Sequence, residues 1–217
     1  MKNFIEKEFI KYYLGNTQIR NHVDAVHAVP PYADQFTGEI VTGLINKINC
    51  SGIISKVSRK KIDLNRRRNV NNKEAIDEYR NAIHSILTYL SLFEENNQIL
   101  KQPYLHLAIH GMKDTHNKEI IIGTRNGESC SSDIKRWFVD EVSRYYENII
   151  ADQIFPGDSS KSVHRLGDCI SDLSYKGYGD NFNTIQIEIN RTLRENHRQK
   201  LISILSDIII DFNKKFV

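Results

Sequence analysis

The sequence predicts an α/β fold built in layers, with helices on both faces of a sheet, and three observations carry that expectation. Two stretches, Leu105 to His110 and Thr184 to Asn190, alternate side-chain character with period two, as half-buried strands do. Two longer stretches, Asp34 to Asn49 and Lys73 to about Gln98, space their apolar residues by three and four, the period of an amphipathic helix. Strand-like and helix-like stretches also alternate along the chain, which is the order of a sheet covered by helices.

The elements follow in order. Val23 to Val29 is the first expected strand; it alternates over part of its length and stops at Pro30-Pro31. The helix from Asp34 to Asn49 gathers Ile40, Val41, Leu44, Ile45 and Ile48 on one face, and Ile53 to Val57 follows as a strand. In the helix from Lys73 the stripe is Ile76, Tyr79, Ile83, Ile86, Leu87, Leu90 and Phe93, with Asn71 or Asn72 near its cap. After Pro103, Leu105, Leu107 and Ile109 point one way and His106, Ala108 and His110 the other.

Glu119 to Gly123 reads as a short strand, and Ser132 to Ile150 as a helix carrying Ile134, Trp137, Phe138, Val142, Tyr145 and Tyr146. From Ala151 to Asn183 the pattern gives way to Gly, Asp, Ser and Lys, an irregular stretch of a length that often serves function. The strand from Thr184 sets Ile185, Ile187 and Ile189 against Gln186, Glu188 and Asn190, and a helix from about Arg191 to Phe212 closes the chain.

Composition narrows the function classes. A chain of 217 residues suits one domain around a substantial core, and 40% hydrophobic with 26% charged residues is ordinary for a soluble globular protein. The formal charge of +3, with 30 basic residues interleaved among 27 acidic ones, is too small to make nucleic acid the main partner. No stretch approaches the length of a membrane span. Lys2, Glu6, Lys7 and Glu8 place charges where a signal peptide needs an apolar run, so a cytoplasmic location is expected. Cys50, Cys130 and Cys169 are odd in number and far apart, which indicates neither a disulfide framework nor a Cys-x-x-Cys metal site.

Two sets of residues carry candidate chemistry. The first is Ser58-Arg59-Lys60-Lys61-Ile62-Asp63-Leu64-Asn65-Arg66, directly after a strand, where α/β sheets present their sites. Arginine forks with an asparagine beside them suit a substrate carboxylate. Arg66-Arg67-Arg68 after Lys60-Lys61 also reads as a solvated charge run or a basic patch for nucleic acid.

The second set is His27, Glu39, His110 and Glu188. Two imidazoles and one carboxylate form a catalytic zinc set with a fourth position open, and an unligated glutamate could serve as general base and then acid. Taken singly, His27 and His110 also read as hydrogen-bonded histidines at strand ends, Glu39 as a solvent-facing helix residue and Glu188 as part of a wet strand face.

These runs carry a resemblance. His27-Ala28-Val29-Pro30-Pro31 through Phe36-Thr37-Gly38-Glu39-Ile40, Val57-Ser58-Arg59 through Asp63-Leu64-Asn65-Arg66, Ala108-Ile109-His110-Gly111 and Ile187-Glu188-Ile189-Asn190 resemble the N-formylglutamate amidohydrolase family. They resemble more distantly the aspartoacylase and zinc carboxypeptidase group and the phage-type poly-γ-glutamate hydrolases. The resemblance covers roughly His27 to Arg194, and its most specific element is Ser-Arg followed by Asp-Leu-Asn-Arg.

The resemblance implies a three-layer sandwich with a mixed, largely parallel sheet, and one zinc per chain held by His27, Glu39 and His110. It implies that Arg59 polarises the scissile carbonyl, that Asn65 and Arg66 hold a substrate carboxylate, and that Glu188 activates the attacking water. Asp63 would orient a ligand or an arginine, and Tyr178 would line or cover the pocket. His116, Thr124 and Arg125 stand where the family carries further pocket residues. The loop at Pro30-Pro31 must fold back to bring Glu39 to the metal; Asp34 is the alternative ligand if it does not.

The expected activity is hydrolysis of an amide C–N bond in a small carboxylate-bearing substrate, such as an N-formyl or N-acyl amino acid. A peptidase acting on γ-glutamyl or cell-wall-like peptides is the second expectation, suited by Lys60, Lys61, Arg67 and Arg68. A non-catalytic module for an anionic ligand is the third.

Overall fold

The computed structural model describes residues 2–94, 98–157 and 159–217. Strands β1 (Ile5–Glu6), β2 (Ile10–Tyr13), β3 (Asn21–Ala25), β4 (Ser51–Ser55), β5 (Tyr104–Gly111), β6 (Ile120–Gly123), β7 (Ile149–Ala151) and β8 (Phe182–Ile189) form one sheet. Their order is β1-β2-β4-β3-β5-β8-β6-β7. The central strands β4, β3, β5 and β8 run parallel, while β2 opposes β4 and β6 opposes β8. The sheet is therefore mixed with a parallel centre, as the resemblance implies.

Among the described residues the α-helices that flank it are α1 (Thr37–Ile48), α2 (Lys73–Tyr89), α3 (Ser132–Ser143), α4 (Ser159–Leu166), α5 (Arg191–Asn196) and α6 (Arg198–Phe216). The alternation along the strands decides which helix meets which face. Val23 of β3, Leu105, Leu107 and Ile109 of β5, and Ile185, Ile187 and Ile189 of β8 share one core with Leu44 of α1, Phe138 of α3 and Leu205 of α6. On the other side Ile83, Ile86 and Leu87 of α2 pack with Ile53, Tyr104 and Phe182. Two cores on opposite faces of one sheet make three layers.

Apolar burial drives this docking. Ile40, Val41, Leu44 and Ile45 of α1 are completely buried, and each such side chain contributes about 1.5–3 kcal/mol before the entropy of ordering is counted.

The structure departs from the periodicity in four places. The N-terminal pair β1 and β2 extends the sheet where no strand was expected. The helix expected over Ser132 to Ile150 ends at Ser143, and Ile149–Ala151 instead pairs with β6. Helix α2 ends at Tyr89, and Phe93 bridges to Leu100; of its expected continuation to Gln98, Glu95, Asn96 and Asn97 lie outside the described residues. The closing helix is two helices that meet at His197.

The stretch from Ala151 to Asn183, expected to be irregular, contains α4, while Asp158 lies outside the described residues. Among the described residues no helix is long and apolar enough to cross a membrane.

Candidate metal centre and its cleft

The parallel strands β3, β5 and β8 deliver the site at their carboxyl ends. Beyond β3 the chain passes His27 and folds back on itself, and the Asp34 N–H donates to the His27 carbonyl at 2.8 Å. Thr37, the first residue of α1, donates its Oγ1 to the Asp34 carbonyl at 2.7 Å and fixes that residue just ahead of the helix. His110 lies near the end of β5, directly opposite Glu188 of β8 in the parallel register.

Three side chains converge there. Asp34 Oδ2 lies 3.3 Å from His27 Nδ1 and 3.3 Å from His110 Nδ1. All three residues are buried, and His110 Nε2 has no hydrogen-bond partner among the described residues. Zinc bonds of 2.0–2.1 Å in a tetrahedron separate neighbouring ligand atoms by about 3.3 Å, so the spacing and the donor types both fit a zinc ion.

The surrounding bonds order the cluster. His27 Nε2 lies 2.7 Å from Asp63 Oδ1, which also accepts the Asn65 N–H at 2.9 Å. Arg59 donates Nη2 to Asp34 Oδ1 and Nε to the Tyr32 carbonyl. Burial pushes the Asp34 carboxyl up, but hydrogen bonds from His110, His27 and Arg59 outweigh it and hold the group well below the usual carboxylate range. Burial likewise opposes ionisation of Asp63, yet its bond to His27 and the neighbouring charges bring it down to about 2. Burial raises Glu188, which accepts a hydrogen bond from Gln186 Nε2 at 3.0 Å.

His27, Asp34, Arg59, Asn65, Arg66, His110, Gln186 and Glu188 all line one cleft of about 690 Å³, walled on one side by Phe155, Pro156 and Gly157. Asp63 sits behind His27. Asn65 is nearly buried and accepts from Ser160 at 3.3 Å, whereas the Arg66 side chain is 58% exposed at the rim. His116 also lines the cleft. Thr124 and Arg125 are engaged elsewhere, with Asp152 and Glu128.

Two expected site residues lie elsewhere. Glu39 does not join the histidines: the buried stripe of α1, Thr37, Ile40, Val41, Leu44 and Ile45, turns it outward into an exposed position on a separate groove beside Thr42. The carboxylate that lies beside the histidines is that of Asp34. Tyr178 neither lines nor covers the cleft; it is 2% exposed, packed against Phe93, Tyr175 and Phe182 in the core beneath α2. Its backbone is held there by the His164 carbonyl, and Gly177 and Gly179 on either side take left-handed φ of 71° and 81° that favour glycine.

Beyond the exposed Arg66, the arginine run is not a solvated face. Arg67 and Arg80 both bind Asp168, at 2.9 and 2.8 Å, Arg80 also binds Asp172, and Arg68 binds Asp77 at 2.7 Å. Asp168 and Asp172 come from the stretch expected to be irregular, so these pairs pin it against α2.

A second group, His22, Asp24 and His106, also brings potential ligand atoms together. It is sealed beneath α2 and α4, and its charge is already answered by Lys161 Nζ, 3.4 Å from Asp24 Oδ2. His106 Nε2 and the Tyr79 hydroxyl bind the same oxygen. Burial keeps His22 and His106 below their ordinary pKa, while, against its burial, Lys161 and His106 hold the Asp24 carboxyl well below its own, so the group is an internal Asp24–Lys161 ion pair flanked by neutral imidazoles. A divalent ion would have to sit beside the buried ammonium, which favours the open group as the metal centre.

Sequence reasoning missed Gln186, Lys161 and His164. Gln186 shares the polar face of β8 with Glu188, and period two marks it. Lys161 and His164 are three apart on one side of a short serine-rich helix with no apolar stripe, so nothing local marked them as buried.

No family model matches the chain, and no curated protein matches it. Solved structures do. N-formylglutamate amidohydrolase from Ralstonia eutropha JMP134 superposes with a TM-score of 0.64 at 12% identity, over 95% of this chain and 97% of that one. A bacteriophage poly-gamma-glutamate hydrolase gives 0.51 at 14% identity, over 94% and 87%. A putative carboxypeptidase A from Shewanella denitrificans OS-217 gives 0.51 at 11% identity, over 96% of this chain and 61% of that one. Over nearly its whole length the chain has the fold of these amidohydrolase and carboxypeptidase-like structures, the group its sequence motifs resemble.

Proposed function

We propose that the chain is a zinc-dependent hydrolase of an amide C–N bond in a carboxylate-bearing substrate, such as an N-formyl or N-acyl amino acid. One observation carries this reading: Asp34 and two imidazoles converge at 3.3 Å on the floor of a cleft that also holds a buried glutamate and two arginines. Zinc held by His27, Asp34 and His110 would supply a Lewis acid and lower the pKa of a bound water to about 7.

The chain's own residues do the rest. Glu188 takes a proton from the attacking water and returns it to the leaving nitrogen, and its raised pKa suits a group that must hold that proton between steps. Arg59, anchored by Asp34 and the Tyr32 carbonyl, directs its charge at the developing oxyanion; loss of one such donor typically costs about 3 kcal/mol. Asn65 and Arg66 grip the substrate carboxylate, so the attack becomes effectively intramolecular. Asp63 fixes the tautomer and orientation of His27.

A second reading, a peptidase for anionic or γ-glutamyl chains, draws on an adjoining lobe of about 670 Å³. It shares Asp34, Arg59 and Lys113 with the cleft and adds Lys60 and Arg191. Arg67 and Arg68 do not serve it, because they are paired with aspartates.

The test is release of free amine by the zinc-loaded chain from N-acyl amino acids and from γ-glutamyl oligomers, with Glu188→Gln alongside. Turnover of either class that disappears in the variant supports the reading, and steep loss of rate with salt marks the polymer. Binding of anions without turnover of any amide would replace it with a non-catalytic module.

A further inference from the structure

We propose that Arg194 is a positioning residue of this site, a buried guanidinium that clamps the three backbone segments carrying Asp34, His110 and Glu188. The proposal rests on the reading of His27, Asp34 and His110 as a metal centre.

Each nitrogen of the fork reaches a different segment. Nη1 donates to the carbonyl of Gln35, the residue after Asp34. Nη2 donates to the Met112 carbonyl at 3.0 Å, two residues past His110, and Nε donates to the Ile189 carbonyl at 2.9 Å, next to Glu188. The three elements that supply the site come from distant parts of the sequence, and this one side chain, 4% exposed, joins them.

Its charge has no carboxylate in direct contact among the described residues; burial lowers its pKa from the ordinary arginine value, and three carbonyl dipoles with the more distant Asp34, Glu188 and Asp114 offset only part of that penalty. A lysine offers one point of charge where the fork spans three acceptors. Arg194 borders the adjoining lobe but does not line the cleft that holds His27, His110 and Glu188, which separates it from Arg59.

Gly111 is the matching half of the clamp. A Cβ added there would lie 2.4 Å from Arg194 Cζ and 2.7 Å from Nη1, inside the guanidinium. Because Gly111 follows His110, any larger residue must push the fork away from the loop and strands it joins.

The experiment compares the full-length chain with Arg194→Lys, Gly111→Ala, Arg194→Met and the Gly111→Ala/Arg194→Met double variant. The readouts are zinc affinity, from competition with a chelator, and the visible absorption spectrum of the Co²⁺-loaded protein. Arg194→Lys and Gly111→Ala should each weaken zinc binding about 10–100-fold and alter the Co²⁺ bands, as loss of a ligand-orienting partner does. Gly111→Ala should add far less in the Arg194→Met background, because the guanidinium carbon and Nη1 it meets most closely are gone.

Wild-type affinity and spectrum in Arg194→Lys and Gly111→Ala would overturn the role of Arg194 alone, as would fully additive losses in the double variant. If Arg194→Met does not fold, the two milder variants decide the question. Absence of zinc and Co²⁺ binding in the wild type would overturn the metal centre, and the role of Arg194 with it.

Discussion

His27 Nε2 lies 2.7 Å from Asp63 Oδ1, while the other nitrogen of the same ring faces Asp34. The Asp63 carboxylate therefore holds the proton on Nε2 and leaves Nδ1 free of it, as the proposed ligand role requires. Asp63→Asn should weaken zinc binding about 10–100-fold while leaving a fully loadable site, read by titration against a chromophoric chelator.

The same bond makes stability depend on pH. Asp63 has a carboxyl at about 2 in the folded chain against 3.8 as its ordinary value, so the unfolded state binds the proton more readily. Its contribution to stability is complete above about pH 4 and is lost as pH falls towards 2. Urea unfolding of the metal-free chain across that range should show a shallower decline in Asp63→Asn than in the wild type.

Glu188 shifts the other way, raised by burial above its ordinary 4.5. In the proposed role of general base it must be ionised, so the rate should fall as pH drops through this raised value, displacing the acid limb upward from that of a free carboxylate. Glu188→Gln should lower kcat by about 10²–10⁴-fold, abolish that limb and leave one zinc bound, as measured by a pH-rate series with metal analysis.

Asp168 anchors the segment that follows the cleft wall. Its fully buried carboxylate binds Arg67 and Arg80, and removing it takes a buried partner from both cations, although Arg80 keeps its pair with Asp172. Asp168→Ala should cost about 3 kcal/mol in denaturant unfolding, with zinc stoichiometry unchanged in the folded protein.

Much of this was legible in the sequence because it rests on local periodicity. The alternation at Leu105 to His110 and Thr184 to Asn190 set His110 and Glu188 each opposite the apolar side of its own strand, the parallel register brings them onto one face, and the helical stripe of α1 gave its inward side. That same stripe points Glu39 outward, so the choice between Glu39 and Asp34 was partly readable; what periodicity could not supply was the backbone bond from Asp34 to His27 that folds the loop back.

Strands β1 and β7 span only Ile5–Glu6 and Ile149–Ala151 at the sheet edges, too short for a period. Tyr145 and Tyr146 also extended the apparent rhythm of α3 past its end. Helix α4 is held by Lys161 and His164 in a buried polar network, and partners of that kind appear only once distant strands are assembled.

Zinc content of the purified chain, compared among the wild type, Asp34→Ala, Glu39→Ala and His110→Ala by elemental mass spectrometry, tests the centre most directly. About one zinc per chain in the wild type and in Glu39→Ala, with loss in Asp34→Ala and His110→Ala, is the expected result. Zinc retained without Asp34 but lost without Glu39, or no zinc in any sample after reconstitution, would contradict it.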